Sequence, residues 1–252
     1  MLEHTLDQIT QLKLQGLKAA LMEQIEGGGK YAAMSFEERL SLLIDREVSN
    51  RKNRSIQRML GLSKIKDKQA HLSDLDYRAD RGIDKGLIKT LAKNDWIERK
   101  QNIIITGPTG TGKSFLASAL ANQAILSAYS AYYSRISTLL ANIALVRGDG
   151  SYLGWLKKLS RFRLLILDDL GLSTLSTSQT QELLEIIEER SHTGSTIVTS
   201  QLPVKEWYAY FNVPTLADAI MDRLVNNSYR IELKGESMRK LRNSVSYSDS
   251  FD

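Results

Sequence analysis

Short β-rich runs alternating with helical stretches across the last two-thirds of the chain predict an α/β fold, a five-stranded parallel sheet flanked by helices. Three observations carry this. The runs NIIIT (102–106), AYYS (131–134), FRLLILDD (162–169), STIVTS (195–200) and YRIEL (229–233) are separated by long helical segments, the connections that parallel neighbours need. The third, and the fourth at its Ile197–Val198 centre, are apolar without alternation, as strands buried on both faces should be. Finally, GPTGTGKS, Gly107 to Ser114, follows the first run and opens the helix-forming stretch FLASALANQAI. It matches G-x-x-x-x-G-K-[ST] at every fixed position.

Composition frames these elements. A chain of 252 residues, 42% apolar and 25% charged, can hold one large globular domain and a small appendage. No apolar run approaches the roughly 18 residues of a membrane span. The N-terminus MLEHTLDQITQLK is acidic and polar where a signal peptide is basic and then apolar, so a cytoplasmic location is expected. With no cysteine, disulfides and thiolate metal sites are excluded, and His4, His71 and His192 are too scattered for a metal motif.

Ahead of the sheet, Leu2, Leu6, Ile9, Leu14, Leu17, Leu21 and Ile25 recur mostly at three-to-four spacing and predict a helical stripe over 2–25. GGGK, Gly27 to Lys30, should break it. Ser35 and Glu38 form a capping-box pattern, after which Leu40, Leu43, Ile44 and Val48 supply the expected buried face of a second helix. That helix is expected to run into NRKNRSIQRML before Gly61. Between Arg51 and Lys68 seven basic residues (Arg51, Lys52, Arg54, Arg58, Lys64, Lys66, Lys68) meet one acid, Asp67, a net +6 against +5 for the whole chain. Clustered charge of one sign suits a polyanion such as DNA. Residues 1–75 are therefore expected to form a helical N-terminal domain with a basic DNA-binding segment, and 76–252 a nucleotide-hydrolysing domain.

The phosphate site follows from the loop's chemistry. Amides of Gly107, Thr109, Gly110, Thr111 and Gly112, with Pro108 shaping the turn and Phe115 starting the helix, converge with the helix N-terminus on a nucleotide's phosphates. Lys113 balances β- and γ-phosphate charge, and Ser114 offers a hydroxyl to Mg²⁺. Asp168, at the C-terminal end of a buried strand, is the expected water-mediated Mg²⁺ partner, and Asp169 is placed to orient or deprotonate an attacking water. The fourth run ends in TSQ, where Ser200, with Thr199 and Gln201 beside it, is the expected γ-phosphate sensor.

GPTGTGKSFLASALA, LLILDDLG, TIVTSQ, MDRL and SMR, with the lead-in LSDLDYRADRGIDKGLIKTLAKNDWI, resemble the AAA+ ATPases. The branch is the one that holds DnaC-like replicative-helicase loaders and the IstB-like ATPases encoded with transposases on insertion sequences. The resemblance spans nearly the whole chain and implies an AAA+ core using ATP and Mg²⁺. It also implies a homo-oligomer, ring or helical, in which Arg223 of MDRL is an arginine finger reaching a neighbour's γ-phosphate. Ser200 then corresponds to the polar sensor and Arg239 of SMR to the second sensor. Only 19 residues, Lys234 to Asp252, follow the last run, and a reduced or absent helical lid is expected. The implied partners are a cognate transposase and duplex DNA, held largely without sequence preference. Expected phosphate contacts are Arg51, Lys52, Arg54, Arg58, Lys64 and Lys66, then Arg135, Lys157, Lys158 and Arg161. The alternative is a helicase loader acting on single-stranded DNA. A small-molecule P-loop kinase is disfavoured by the MDRL arginine.

Overall fold

The computed structural model describes residues 1–78 and 81–238. The chain forms two compact units, Met1–Arg58 and the part beginning at Met59.

The first unit is helical: α1 (Leu2–Gln11), α2 (Gln15–Glu26), the single turn α3 (Gly28–Tyr31) and most of α4 (Phe36–Leu62). The stripe over 2–25 is split between two helices, because Lys13 takes a φ of 59° and interrupts the ladder. Gly27 ends α2 as expected, yet Gly28 and Gly29 sustain one further turn. At the start of α4 the capping box is present: Glu38 N–H donates to Ser35 Oγ, and Ser35 N–H to Glu38 Oε2.

The apolar stripe of α4 departs from expectation. Leu40, Ile44 and Val48 are exposed, and the helix buries Glu47 and Ile56 instead. A polar contact accounts for Glu47. Its carboxylate accepts from the amides of Gly16 (2.7 Å) and Leu17 (3.0 Å) at the start of α2, where free N–H groups and the helix dipole favour negative charge. A Cβ on Gly16 would lie 2.7 Å from the Arg46 carbonyl oxygen, so glycine alone permits this close approach.

In the second unit, residues after Met59 are already tied to the sheet domain. Tyr133 N–H donates to the Ser63 carbonyl, and Asn122 Nδ2 donates to the carbonyls of Asp67 (3.0 Å) and Ala70 (2.9 Å). The division between units therefore falls inside α4, earlier than the change of sequence pattern near residue 75. Next come α5 (Lys85–Leu91), capped by Asp84, and α6 (Asp95–Glu98).

The sheet comprises β1 (Asn102–Thr106), β2 (Ala131–Arg135), β3 (Leu164–Leu170), β4 (Ser195–Ser200) and β5 (Ser228–Glu232), all parallel, in the order β2-β3-β4-β1-β5. The crossovers carry α7 (Lys113–Leu126), α8 (Ile136–Gly148), α9 (Tyr152–Ser160), α10 (Thr177–Arg190), α11 (Trp207–Phe211) and α12 (Pro214–Val225). Every residue of β1 and β4 is buried, and Ile104, Leu165, Leu167 and Val198 share a core with Leu139, Leu183 and Ile220 from the helices. Parallel strands place the C-terminal ends of β1, β3 and β4 at one edge, where ligands of such sheets bind.

At the opposite edge Arg190 acts as a clamp. Its guanidinium is buried and donates to the carbonyls of Leu159 (3.1 Å), Phe162 (2.9 Å) and Ser195 (2.9 Å). Burial pushes its pKa down to about 10. Arg190→Met leaves those three acceptors without their donor, and a loss of roughly 3 kcal/mol is expected. Urea unfolding checks this; a midpoint unchanged from the parent chain would refute the clamp.

Candidate nucleotide site

The loop between β1 and α7 depends on its glycines. Gly107, Gly110 and Gly112 have φ of 144°, 81° and 97°, where an L side chain is strained. Space excludes side chains as well: a Cβ on Gly107 would lie 2.3 Å from the Leu233 carbonyl oxygen, and one on Gly110 2.1 Å from Ser237 Oγ. The segment after β5 thus runs along the loop, with Leu233 N–H donating to the Thr106 carbonyl (2.8 Å) and Met238 N–H to that of Gly110 (3.0 Å). Arg81, itself buried, ties the two together by donating to the carbonyls of Thr111 (2.7 Å) and Glu236 (3.0 Å).

A cavity of ≈ 460 Å³ opens beside this loop, a volume suited to a small organic ligand. Its walls include Thr109 to Leu116 of the loop and helix, the apolar side chains of Leu75, Ile83 and Met238, and the polar ones of Arg135, Asp169 and Gln201. Lys113 Nζ donates to the carbonyls of Gly107 (2.7 Å) and Pro108 (2.8 Å). Burial lowers its pKa, and the carboxylates of Asp169 and Asp168 oppose that shift.

Asp168 is fully buried and satisfied by hydroxyls from three elements. Its carboxylate accepts from Ser114 Oγ of α7 (2.8 and 3.0 Å), from Thr199 Oγ1 of β4 (2.5 Å) and from Tyr133 Oη of β2. Burial first, and Asp168 second, push the Tyr133 phenol well above its ordinary value. The register of β3 against β4 slips here, since Leu167 faces Val198 but Leu170 faces Ser200. Three steps on β3 thus match two on β4, a bulge containing Asp168 and Asp169. Asp169 takes a φ of 65°, a strained conformation for a residue with a side chain. In a regular strand consecutive side chains point to opposite faces. The bulge instead lets Asp168 meet Ser114 while Asp169 lines the cavity, where Arg135 Nε stands 3.6 Å from Asp169 Oδ2.

The structure separates the expected site residues into groups. Gly107 to Phe115, Asp168 and Asp169 come together. Ser200 faces elsewhere: fully buried, its hydroxyl donates to the Leu170 carbonyl (2.7 Å) and accepts from Leu202 N–H (3.0 Å). Thr199 reaches the Asp168 carboxylate instead, and Gln201 lines the cavity. Period-two alternation in TSQ is the signal that distinguishes these two from Ser200.

Arg223, on α12, lies near the other edge of the sheet. Asn102, the first residue of β1, donates through Nδ2 to the Arg223 carbonyl (2.9 Å), and the Arg223 guanidinium pairs with Glu188 at 2.8 Å. Arg239 lies outside the described residues, as does the chain beyond it where a lid was expected to be reduced.

All ten expected DNA contacts are exposed. Arg51 is paired with Glu47 (2.7 Å). Lys66 and Arg135 line the nucleotide cavity, so proximity to that cavity is a feature their charge alone did not disclose. Arg81 and Tyr133 escaped sequence reasoning, because nothing local marks an arginine or tyrosine for a distant partner.

The chain matches the family described as IstB-like ATP binding protein over residues 7–246. It is 45% identical over 241 residues to a Sinorhizobium fredii (strain NBRC 101917 / NGR234) protein named as an insertion sequence ATP-binding protein, y4pL, covering 95% of this chain and 98% of that one. A Pseudomonas aeruginosa protein named as an ATP-binding protein of insertion sequence IS21 is 27% identical over 231 residues, covering 92% and 86%. Among solved structures, the DnaC helicase loader superposes with a TM-score of 0.54 at 18% identity, covering 66% of this chain and 97% of that one. AMPPCP-bound DnaA from Aquifex aeolicus gives 0.57 at 16%, covering 73% and 56%. These likenesses establish the AAA+ P-loop fold. On its profile, its relatives and its phosphate loop, the chain belongs to the family of IstB-like ATP binding proteins.

Proposed function

We propose that the chain is an ATP-hydrolysing, DNA-binding helper of an insertion-sequence transposase, assembling on duplex DNA with ATP and released or remodelled by hydrolysis. The observation that carries the reading is the position of Arg223. The phosphate loop follows the end of β1, whereas Arg223 is bonded at its start, and five strand residues span about 16 Å. Arg223 thus stands away from the phosphate loop of its own subunit, which supports a role at a neighbour's site. Family membership and relatives named for insertion sequences support the transposition setting.

Within one subunit, Lys113 would neutralise β- and γ-phosphate charge, Asp169 would orient the attacking water, and Gln201, which lines the cavity, would contact the γ-phosphate. The donor set fits Mg²⁺: Ser114 and Asp168 present hard oxygens already within 2.8 Å of one another. Among the described residues no three His, Asp or Glu side chains gather around a metal. Mg²⁺ shared between one or two protein groups, phosphates and water needs no such cage. When bound, the ion would offset charge on the transferring phosphate.

For DNA, the exposed bases of α4 and the Lys157–Lys158–Arg161 group of α9 are the proposed phosphate contacts. Arg135 and Lys66, both exposed, line the nucleotide cavity as well, and Arg135 stands beside Asp169. No helix among the described residues is long and apolar enough to cross a membrane.

Two experiments test the reading. Arg223→Ala should keep ATP binding and lower assembly-stimulated hydrolysis by about 10³-fold or more; full turnover by that variant would sink the finger assignment. Duplex binding with ATP should weaken steeply with salt, and the paired change Lys157→Ala, Lys158→Ala should lower the slope of log affinity against log salt by about 2. A salt-independent affinity, or tighter binding to single strands than to duplex under the same conditions, would contradict the proposal.

A further inference from the structure

Thr199 is buried completely, and its one hydroxyl serves both carboxylate residues at once. It accepts from the backbone N–H of Asp169 (3.0 Å) and donates to Asp168 Oδ1 (2.5 Å). A carboxylate can only accept and an amide N–H can only donate, so the single hydroxyl proton has one arrangement that satisfies both. The site needs such a tie, because Asp169 sits in the bulge with a φ of 65°. A strained residue of this kind persists when its surroundings over-determine it.

We infer that Thr199 is a positioning residue that holds the Asp168–Asp169 bulge in its working shape, coupling metal ligation to placement of the attacking water. The inference rests on the reading of those two aspartates as the metal and water carboxylates. Tyr133 Oη and Ser114 Oγ also hold Asp168, but neither touches the Asp169 backbone. Without the Thr199 hydroxyl, Asp168 loses one of its three hydroxyl donors and Asp169 loses its amide partner.

Thr199→Val keeps shape and removes the hydroxyl; Thr199→Ser keeps the hydroxyl. Hydrogen exchange of the nucleotide-free protein should show the Asp169 amide deprotected in Thr199→Val, with the rest of β3 unchanged, and protected again in Thr199→Ser. The Mg²⁺ concentration that half-saturates binding of a fluorescent ATP analogue should rise about 10- to 100-fold in Thr199→Val, and kcat should fall by a similar factor with KM little altered. Thr199→Ser should recover both. Should Thr199→Val fail to fold, Thr199→Cys, with its weak donor, takes its place in every measurement. A Val variant with parental exchange, Mg²⁺ dependence and kcat overturns the inference. So does a Ser variant as impaired as Val, which would mean that the methyl group packs and the hydroxyl is idle. Asp168→Asn run in parallel separates the two levels: if it leaves the Mg²⁺ dependence unaltered, the underlying assignment of Asp168 has failed, and not the role of Thr199 alone.

Discussion

Pairing of β4 with β1 on one side and β3 on the other, in a single parallel ladder, is the constraint on which the nucleotide site depends. Thr106, the last residue before the phosphate loop, lies opposite Ser200, and Leu170, just past the two aspartates, lies opposite the same residue. The strands are buried, so their backbone groups have no alternative to the ladder. A slip of one residue in β4 would turn Thr199 away from Asp168 and bring Ser200 in its place. The register thus decides which hydroxyl meets which carboxylate.

Around that ladder, polar groups are arranged to tolerate burial. Asp168 is fully buried and shared by hydroxyls from β2, β4 and α7, the satisfaction that a buried carboxylate requires. Lys113 is held by carbonyls of its own loop, with the two aspartates supporting its charge against desolvation. Arg81 joins the loop to the segment after β5 through Thr111 and Glu236. A change in the loop on binding phosphate would therefore bear on the segment that leads to Arg239.

The two edges of the sheet have different chemistry. One gathers the glycine-rich loop and the aspartates, while the other holds the Arg190 clamp and Arg223. In the proposed assembly, one subunit's loop edge meets the next subunit's Arg223 edge. Two different surfaces in contact make a head-to-tail interface, which closes into a ring or propagates as a helix according to the rotation between subunits. Before such contact, the Arg223 guanidinium pairs with Glu188 and is about a third exposed, an ion pair of the modest strength expected near solvent.

Most of the architecture was legible in the sequence because periodicity and glycine placement are local. Five short apolar runs determined the strands to within two residues, GPTGTGKS determined the phosphate loop, and DD after an apolar run determined the acids beside it. Tertiary structure alone decided where side chains were sent. The stripe Leu40, Ile44 and Val48 faces outward because Glu47 meets the start of α2 through a glycine that allows close approach. Thr199 and Gln201, not Ser200, turn to the site because of strand alternation against a bulged neighbour. Arg135 faces Asp169, and Arg81 reaches loop residues thirty positions away. A sequence pattern records which face of an element is apolar. Which partner arrives at that face, at what register and with what backbone strain, is set by pairings between distant residues that no local pattern carries.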